Sequence, residues 1–244
     1  IEELIECPPN WLDISVDGLE KDHDTQRNYK GSYRKTIDTL IQLKESGAFE
    51  RINILTCLTT LNIKSVTGMI RYLNARGFKN FFITPMSVLK GYRPDPDLQP
   101  DNEDFVQWLD ELLETTKGLL DSWVEVDIYD ALSAAAIRQF TPDLFKEFKT
   151  DYEHLEIKKT YRGNEFHISY YPASLTGIRE LIVNSNGDII PPKVMAMGNI
   201  PRDLITGRIF NHSRNETFFD NANGKNVLAI FLEELLEEKR LLGL

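Results

Sequence analysis

The chain has 244 residues, 41% hydrophobic and 27% charged, with a formal charge of −10. This composition supports a core large enough for one big domain or two small ones. Its acidity excludes wholesale nucleic-acid binding through a basic face, leaving only a local basic patch open. No apolar run approaches the roughly 20 residues that span a bilayer, no signal peptide opens the sequence, and two separated cysteines, Cys7 and Cys57, point to a reducing cytoplasmic setting.

The first segment, 'IEELIECPPN', reads as a helix that Pro8 and Pro9 terminate. Because the chain starts with Ile inside that element, residues before Ile1 are expected. Trp11–Val16 alternates as a strand and gives way to a charged loop holding Asp17, Gly18, Glu20, Asp22, His23, Asp24 and Arg27. Ser32 is placed to cap a helix with Ile37, Leu40, Ile41 and Leu43 on its apolar face and Gly47 beyond its end. 'RINILTCL' is a second strand, Asn62–Arg76 a second helix closed by Gly77, and 'FKNFFITP' a third strand. Strands alternating with single helices predict right-handed βαβ units and a parallel sheet, with ligands beyond the carboxyl ends of the strands.

A Pro-rich excursion, 'KGYRPDPDLQPDNED', leads into a helix over Asp104–Lys117. 'WVEVDIYDALSAAAIRQF' reads as a strand running into a short Ala-rich helix. Two hairpins are predicted, turning at Arg162-Gly163-Asn164 and at Asn186-Gly187, and the chain closes on an amphipathic helix, 'NVLAIFLEELLEEKRLL'. There is no internal repeat, P-loop, nucleophile elbow or dinucleotide fingerprint. His154, His167 and His212 show no metal spacing and are expected to be structural or solvated.

The residues Ser15, Asp17, Gly18, His23, Asp24 and Arg27 form S-x-D-G followed by H-D-x-x-R. This set resembles the fourth-strand segment of radical S-adenosylmethionine (SAM) enzymes, in the branch of anaerobic sulfatase maturases and peptide modifiers. 'INILTCLTTLN' and 'FKNFFITPM' look like the fifth and sixth strands of that fold. Gly187, Gly198, Asn199 and Ile200 resemble the SPASM or twitch extension. The resemblance implies an α/β fold: the last three strands of a (β/α)6 partial barrel over 1–118, a small α+β SPASM/twitch-like region over 119–210, and a terminal helix over 211–244. Two features depart from the family. The C-x-x-x-C-x-x-C motif that ligates its [4Fe–4S] cluster is absent from this chain, and Pro191 and Pro192 stand where the auxiliary region often has cysteines. The cluster is therefore expected only on a preceding segment.

By resemblance, Ser15 contacts the ribose or carboxylate of SAM, and Arg27 pairs with the carboxylate. Asp17, taken to share a face with Ser15, binds ribose or substrate or moves a proton. Asn53, Leu55 and Thr56 line the pocket, and the backbone around Thr84, Pro85 and Met86 serves the adenine edge. Simpler readings stand beside these. Asp17-Gly18 is also ordinary turn chemistry, His23 and Asp24 a hydrogen-bonded loop pair, Arg27 a surface partner of Asp22 or Asp24, and Cys57 and Cys7 core packing.

Two functional classes follow. One is the C-terminal portion of a radical SAM enzyme that cleaves SAM reductively and abstracts hydrogen through a 5′-deoxyadenosyl radical, with a peptide or protein as substrate. The other is a cluster-free scaffold that binds a peptide or partner. A chance match in an unrelated α/β protein is the third and weakest reading. Three strands alone would leave a sheet edge and an inner face open, so a longer chain, a second polypeptide or self-association is expected to complete them.

Overall fold

The computed structural model describes residues 1–86, 96–129, 131–151, 154–171, 182–183, 189–190, 236 and 239–240. The chain forms two compact units, one of Ile1–Met86, Asp97–Ile128 and Glu156–Ser169, the other of Ser87–Pro96, Tyr129–Leu155 and Tyr170–Leu244.

In the first unit, α1 (Glu2–Glu6) precedes β1 (Trp11–Ser15), α2 (Glu20–Gln26), α3 (Ser32–Ser46), β2 (Arg51–Leu58), α4 (Val66–Asn74) and β3 (Asn80–Pro85). After these come α5 (Asn102–Lys117), β4 (Trp123–Ile128), most of β6 (His154–Tyr161) and most of β7 (Asn164–Tyr170). The strand order is β1-β2-β3-β4-β7-β6. β1, β2, β3 and β4 pair in parallel, with Trp11 opposite Arg51, Leu55 opposite Phe82 and Phe82 opposite Glu125. β7 continues in the same direction: the Glu165 N–H donates to the Ser122 carbonyl, His167 stacks on Trp123, and Ser169 bonds to Glu125. β6 then runs back, because Arg162 and Gly163, at φ 49° and 92°, make the two-residue turn whose twist suits an antiparallel hairpin.

The strand order advances in one direction from β1 to β4. Right-handed crossovers then put every connecting helix on the same side of the sheet. Burial bears this out. Ile54, Leu58, Phe81, Ile83, Val124 and Val126, on the helix-covered face, are at most 1% exposed. Val66, Met69, Ile70 and Leu73 of α4 and Leu40, Leu109 and Leu112 of α3 and α5 meet them as fully buried side chains. Each such side chain contributes about 1.5–3 kcal/mol. On the opposite face, Trp11, Ser15 and Cys57 are exposed and Leu55, Phe82, Thr84, Glu125 and Asp127 half-buried. The sheet is thus an α/β layer with one face packed and one face open.

The strands fall where alternation predicts them, and β4 and the β6–β7 hairpin extend the same sheet. Three local features differ from expectation. Glu20–Gln26 is a helix, not a loop. Ser32 is the first residue of α3 and does not cap it. The Asp24 carboxylate does so from a distance, accepting from the N–H groups of Gly31 and Tyr33 and the Ser32 hydroxyl. Helix α4 starts at Val66 and not Asn62, because the Asn62 amide is spent on the loop, accepting from the Thr59 N–H and donating to the Cys57 carbonyl.

In the second unit β5 (Lys149–Asp151), α6 (Ala131–Phe140) and α7 (Pro142–Phe145) are described, and β8 (Ile182–Val183) pairs antiparallel with β9 (Ile189–Ile190), the two arms of the expected Asn186-Gly187 hairpin. Gly187, Pro191, Pro192, Gly198, Asn199 and Ile200 lie outside the described residues, as do His212 and most of the terminal helix. No described helix is long and apolar enough to cross a membrane.

Candidate functional site

Side chains on the open face form rows across the strands. Asp13, Asn53, Asn80 and Trp123 make one row; Ser15, Leu55, Phe82 and Glu125 the next; Cys57 and Thr84 a third towards the carboxyl end. Two cavities lie over these rows. The upper one, about 380 Å³, is walled by Ser15, Arg27, Leu55, Cys57, Phe82, Thr84 and Asp127 with Thr56 behind them. The lower one, about 420 Å³, is walled by Trp11, Arg51, Asn53, Phe82, Trp123 and Glu125. Phe82 belongs to both. Each has the size of a small-molecule site, commonly about 300–1,000 Å³.

The loop after β1 is built to present Arg27. Gly18 sits at φ 90°, and a Cβ there would come within 2.5 Å of the Ser65 hydroxyl oxygen, so any other residue would be strained and crowded. The Asp17 N–H donates to Nδ1 of His23 at 2.9 Å, which makes that nitrogen an acceptor and fixes the neutral tautomer with its proton on Nε2. His23 is 2% exposed, and burial, the largest influence, lowers its pKa against the opposing pull of the Asp17 carboxylate. The Asp17 carboxylate is 1% exposed; it accepts from the Cys57 N–H at 3.0 Å and pairs with the Arg27 guanidinium at 2.6 Å. Arg27 remains 43% exposed at its side chain, so the guanidinium is held from behind and still open to the cavity.

Of the residues singled out from sequence, Ser15, Arg27, Leu55 and Thr84 meet at the upper cavity, with Thr56. Asp17 does not share the open face with Ser15, since the chain leaves the strand after Ser15 and turns the carboxylate inward. It is a positioning residue for Arg27. Asn53 lines the lower cavity. Pro85 and Met86 line neither; the Met86 N–H is spent on the Leu58 carbonyl. Arg27 pairs with Asp17 and neither Asp22 nor Asp24, while His23 and Asp24 hold different partners and not each other. Both cysteines are exposed and neither is core packing. Cys57 stands in the cavity wall, its thiol pKa raised chiefly by desolvation and further by the Asp17 carboxylate. His167 is structural, 2% exposed between the carboxylates of Glu156 and Glu165.

Sequence reasoning missed Cys57, Phe82 and Asp127 as wall residues. The signal was present: strand alternation puts Cys57 with Leu55, Phe82 with Thr84, and Asp127 with Glu125 and Trp123. Among the described residues, no group of three or more His, Cys, Asp or Glu could hold a metal ion. No family model, curated protein or solved structure matches this chain.

Proposed function

We propose that the upper cavity binds SAM and that the chain is the C-terminal portion of a radical SAM enzyme acting on a peptide or protein. The observation that carries this reading is the convergence of Ser15, Arg27, Leu55 and Thr84, four residues named from the resemblance, on one cavity at the carboxyl ends of parallel strands. The donor set suits the ligand. A half-exposed guanidinium, oriented by a buried carboxylate, is a seat for an amino-acid carboxylate. The hydroxyls of Ser15 and Thr84 suit ribose oxygens, and Leu55 and Phe82 supply apolar contact for a base.

The [4Fe–4S] group does not fit this chain's own residues: the C-x-x-x-C-x-x-C motif supplies three thiolates, and the sequence holds two cysteines, of which only Cys57 is in the cavity wall. Held in the upper cavity, SAM would supply the hydrogen-abstracting chemistry that the resemblance implies, with the electron for its reductive cleavage coming from a cluster carried by another segment. This chain's residues bind and orient. Arg27 fixes the carboxylate end, Ser15 and Thr84 fix the sugar, and Asp17 keeps Arg27 from swinging to solvent.

A second reading has its own support. His23, Asp24, Asp17 and Gly18 are each accounted for by loop architecture, so a cluster-free scaffold that binds a peptide or partner would preserve the same motif. Equilibrium dialysis with SAM and with S-adenosylhomocysteine separates the two. The enzyme reading expects both to bind, with Arg27→Ala and Ser15→Ala each weakening binding about tenfold or more. Absence of binding by the folded chain, or equal binding by both variants, would leave the scaffold reading.

A further inference from the structure

The lower cavity is not needed for the function proposed above, and its wall has a chemistry of its own. Three electron-rich features converge on it, in a wall that also carries the Arg51 guanidinium. The Asn53 side chain gives its amide N–H to Asp13 at 2.7 Å, which fixes the orientation, and leaves its carbonyl oxygen buried with no hydrogen-bond partner. The residue is 9% exposed. Glu125 accepts only from neutral donors, the Trp123 indole N–H at 2.9 Å and the Ser169 hydroxyl at 2.9 Å, and has no cationic partner among the described residues. Trp11, Phe82 and Trp123 line the same space, one face of the Trp123 ring being covered by His167 at 4.0 Å. A buried carbonyl oxygen, a carboxylate held by neutral donors and three electron-rich rings all favour a cation that carries N–H groups.

The chain's own cations sample this preference. The Arg51 guanidinium lies 5.8 Å from the centre of the Phe82 ring and the Lys158 ammonium 5.7 Å from Trp123, yet Arg51 forms no ion pair among the described residues. Trp11, 60% exposed, has a ring open to an arriving group. A formal charge of −10 draws cationic ligands towards the molecule.

We infer that the lower cavity is a recognition pocket for a basic peptide side chain, its guanidinium or ammonium group held by Glu125 and Asn53 against the rings of Trp11 and Trp123. The assignment does not depend on what the upper cavity binds. Arginine fits best, because its planar group can stack on indole while it donates to carboxylate and amide oxygens together.

The test titrates the full chain with N-acetyl-arginine amide, with N-acetyl-citrulline amide as the uncharged isostere, and reads tryptophan fluorescence and indole NMR signals. Two of the three tryptophans, Trp11 and Trp123, line the cavity, and the third, Trp108, is 3% exposed in the core and serves as the internal control. The arginine probe is expected to shift Trp11 and Trp123 signals, to bind at least about tenfold more tightly than citrulline, and to weaken with rising salt. Glu125→Gln should remove that preference, and Trp11→Ala, at an exposed position, should weaken binding with the fold intact. Equal binding of the two probes, no shift at Trp11 and Trp123, or full affinity in both variants would overturn the assignment. So would concentration-dependent self-association that buries Trp11 and blocks the probe, since the face would then be an interface between copies.

Discussion

Asp17 carries a carboxylate that is 1% exposed, and Arg27 supplies its counter-charge. Removing either partner strands the other, so a double-mutant cycle of Asp17→Ala and Arg27→Ala is expected to give a coupling of about 1.5–3 kcal/mol in urea unfolding, towards the low end because Arg27 is partly solvated. A coupling near zero would mean that Arg27 is not held by Asp17. His23 adds a pH dependence. Its native pKa is lowered from 6.5, so the unfolded chain binds more protons there than the native one. Stability present above the unfolded pKa is therefore lost as pH falls through the depressed native value. Urea midpoints should drop from neutral pH into the acid range below 6.5, and His23→Gln, which cannot titrate, should flatten that slope. At this scale the sequence was legible by residue type and not by role. S-x-D-G and H-D-x-x-R pointed to this loop, but which carboxylate faces Arg27 depends on the turn at Gly18, which spacing does not encode.

Elements were legible where one face is apolar. Strands β2 and β3 and helices α3 and α5 follow from alternation and helical spacing, because burial of one face against the other layer decides them. Helix α2 was not legible, since 'EKDHDTQ' has no apolar stripe. Its buried His23, the acids in its first turn and Asp24, which reaches on to cap α3, take the place of a hydrophobic face. The hairpin turn hid a second role as well. Asn164 reads as a turn residue, yet it is 1% exposed, and its amide accepts from the Ser122 N–H at 3.0 Å and donates to the Leu119 carbonyl at 2.8 Å. It ties β7 to the entry of β4. Asn164→Ala is expected to cost about 2–3 kcal/mol by leaving buried backbone groups unsatisfied, measured by chemical unfolding. A loss below about 0.5 kcal/mol would show that β7 is registered by its strand pairing alone.

Across the first unit as a whole, the one-directional strand order leaves a face whose upper rows carry hydroxyls and a guanidinium and whose lower rows carry indoles, an amide and a carboxylate. Alternation in four separate strands contains the strand-borne part of that face, with Arg27 added from the end of α2, but reading it requires the inter-strand register, which local sequence does not give. The proposed SAM site in the upper cavity makes a direct demand on the chain's thiols. Cys57 in its wall and Cys7 in the segment before β1 are both exposed, so the chain carries a probe thiol and a reference thiol. The decisive measurement is the rate of alkylation at each, by mass spectrometry at mildly alkaline pH because desolvation raises the Cys57 pKa, with and without SAM. SAM is expected to protect Cys57, to leave Cys7 unchanged, and to lose its effect in Arg27→Ala. Equal alkylation of Cys57 with and without saturating SAM would contradict the proposed site.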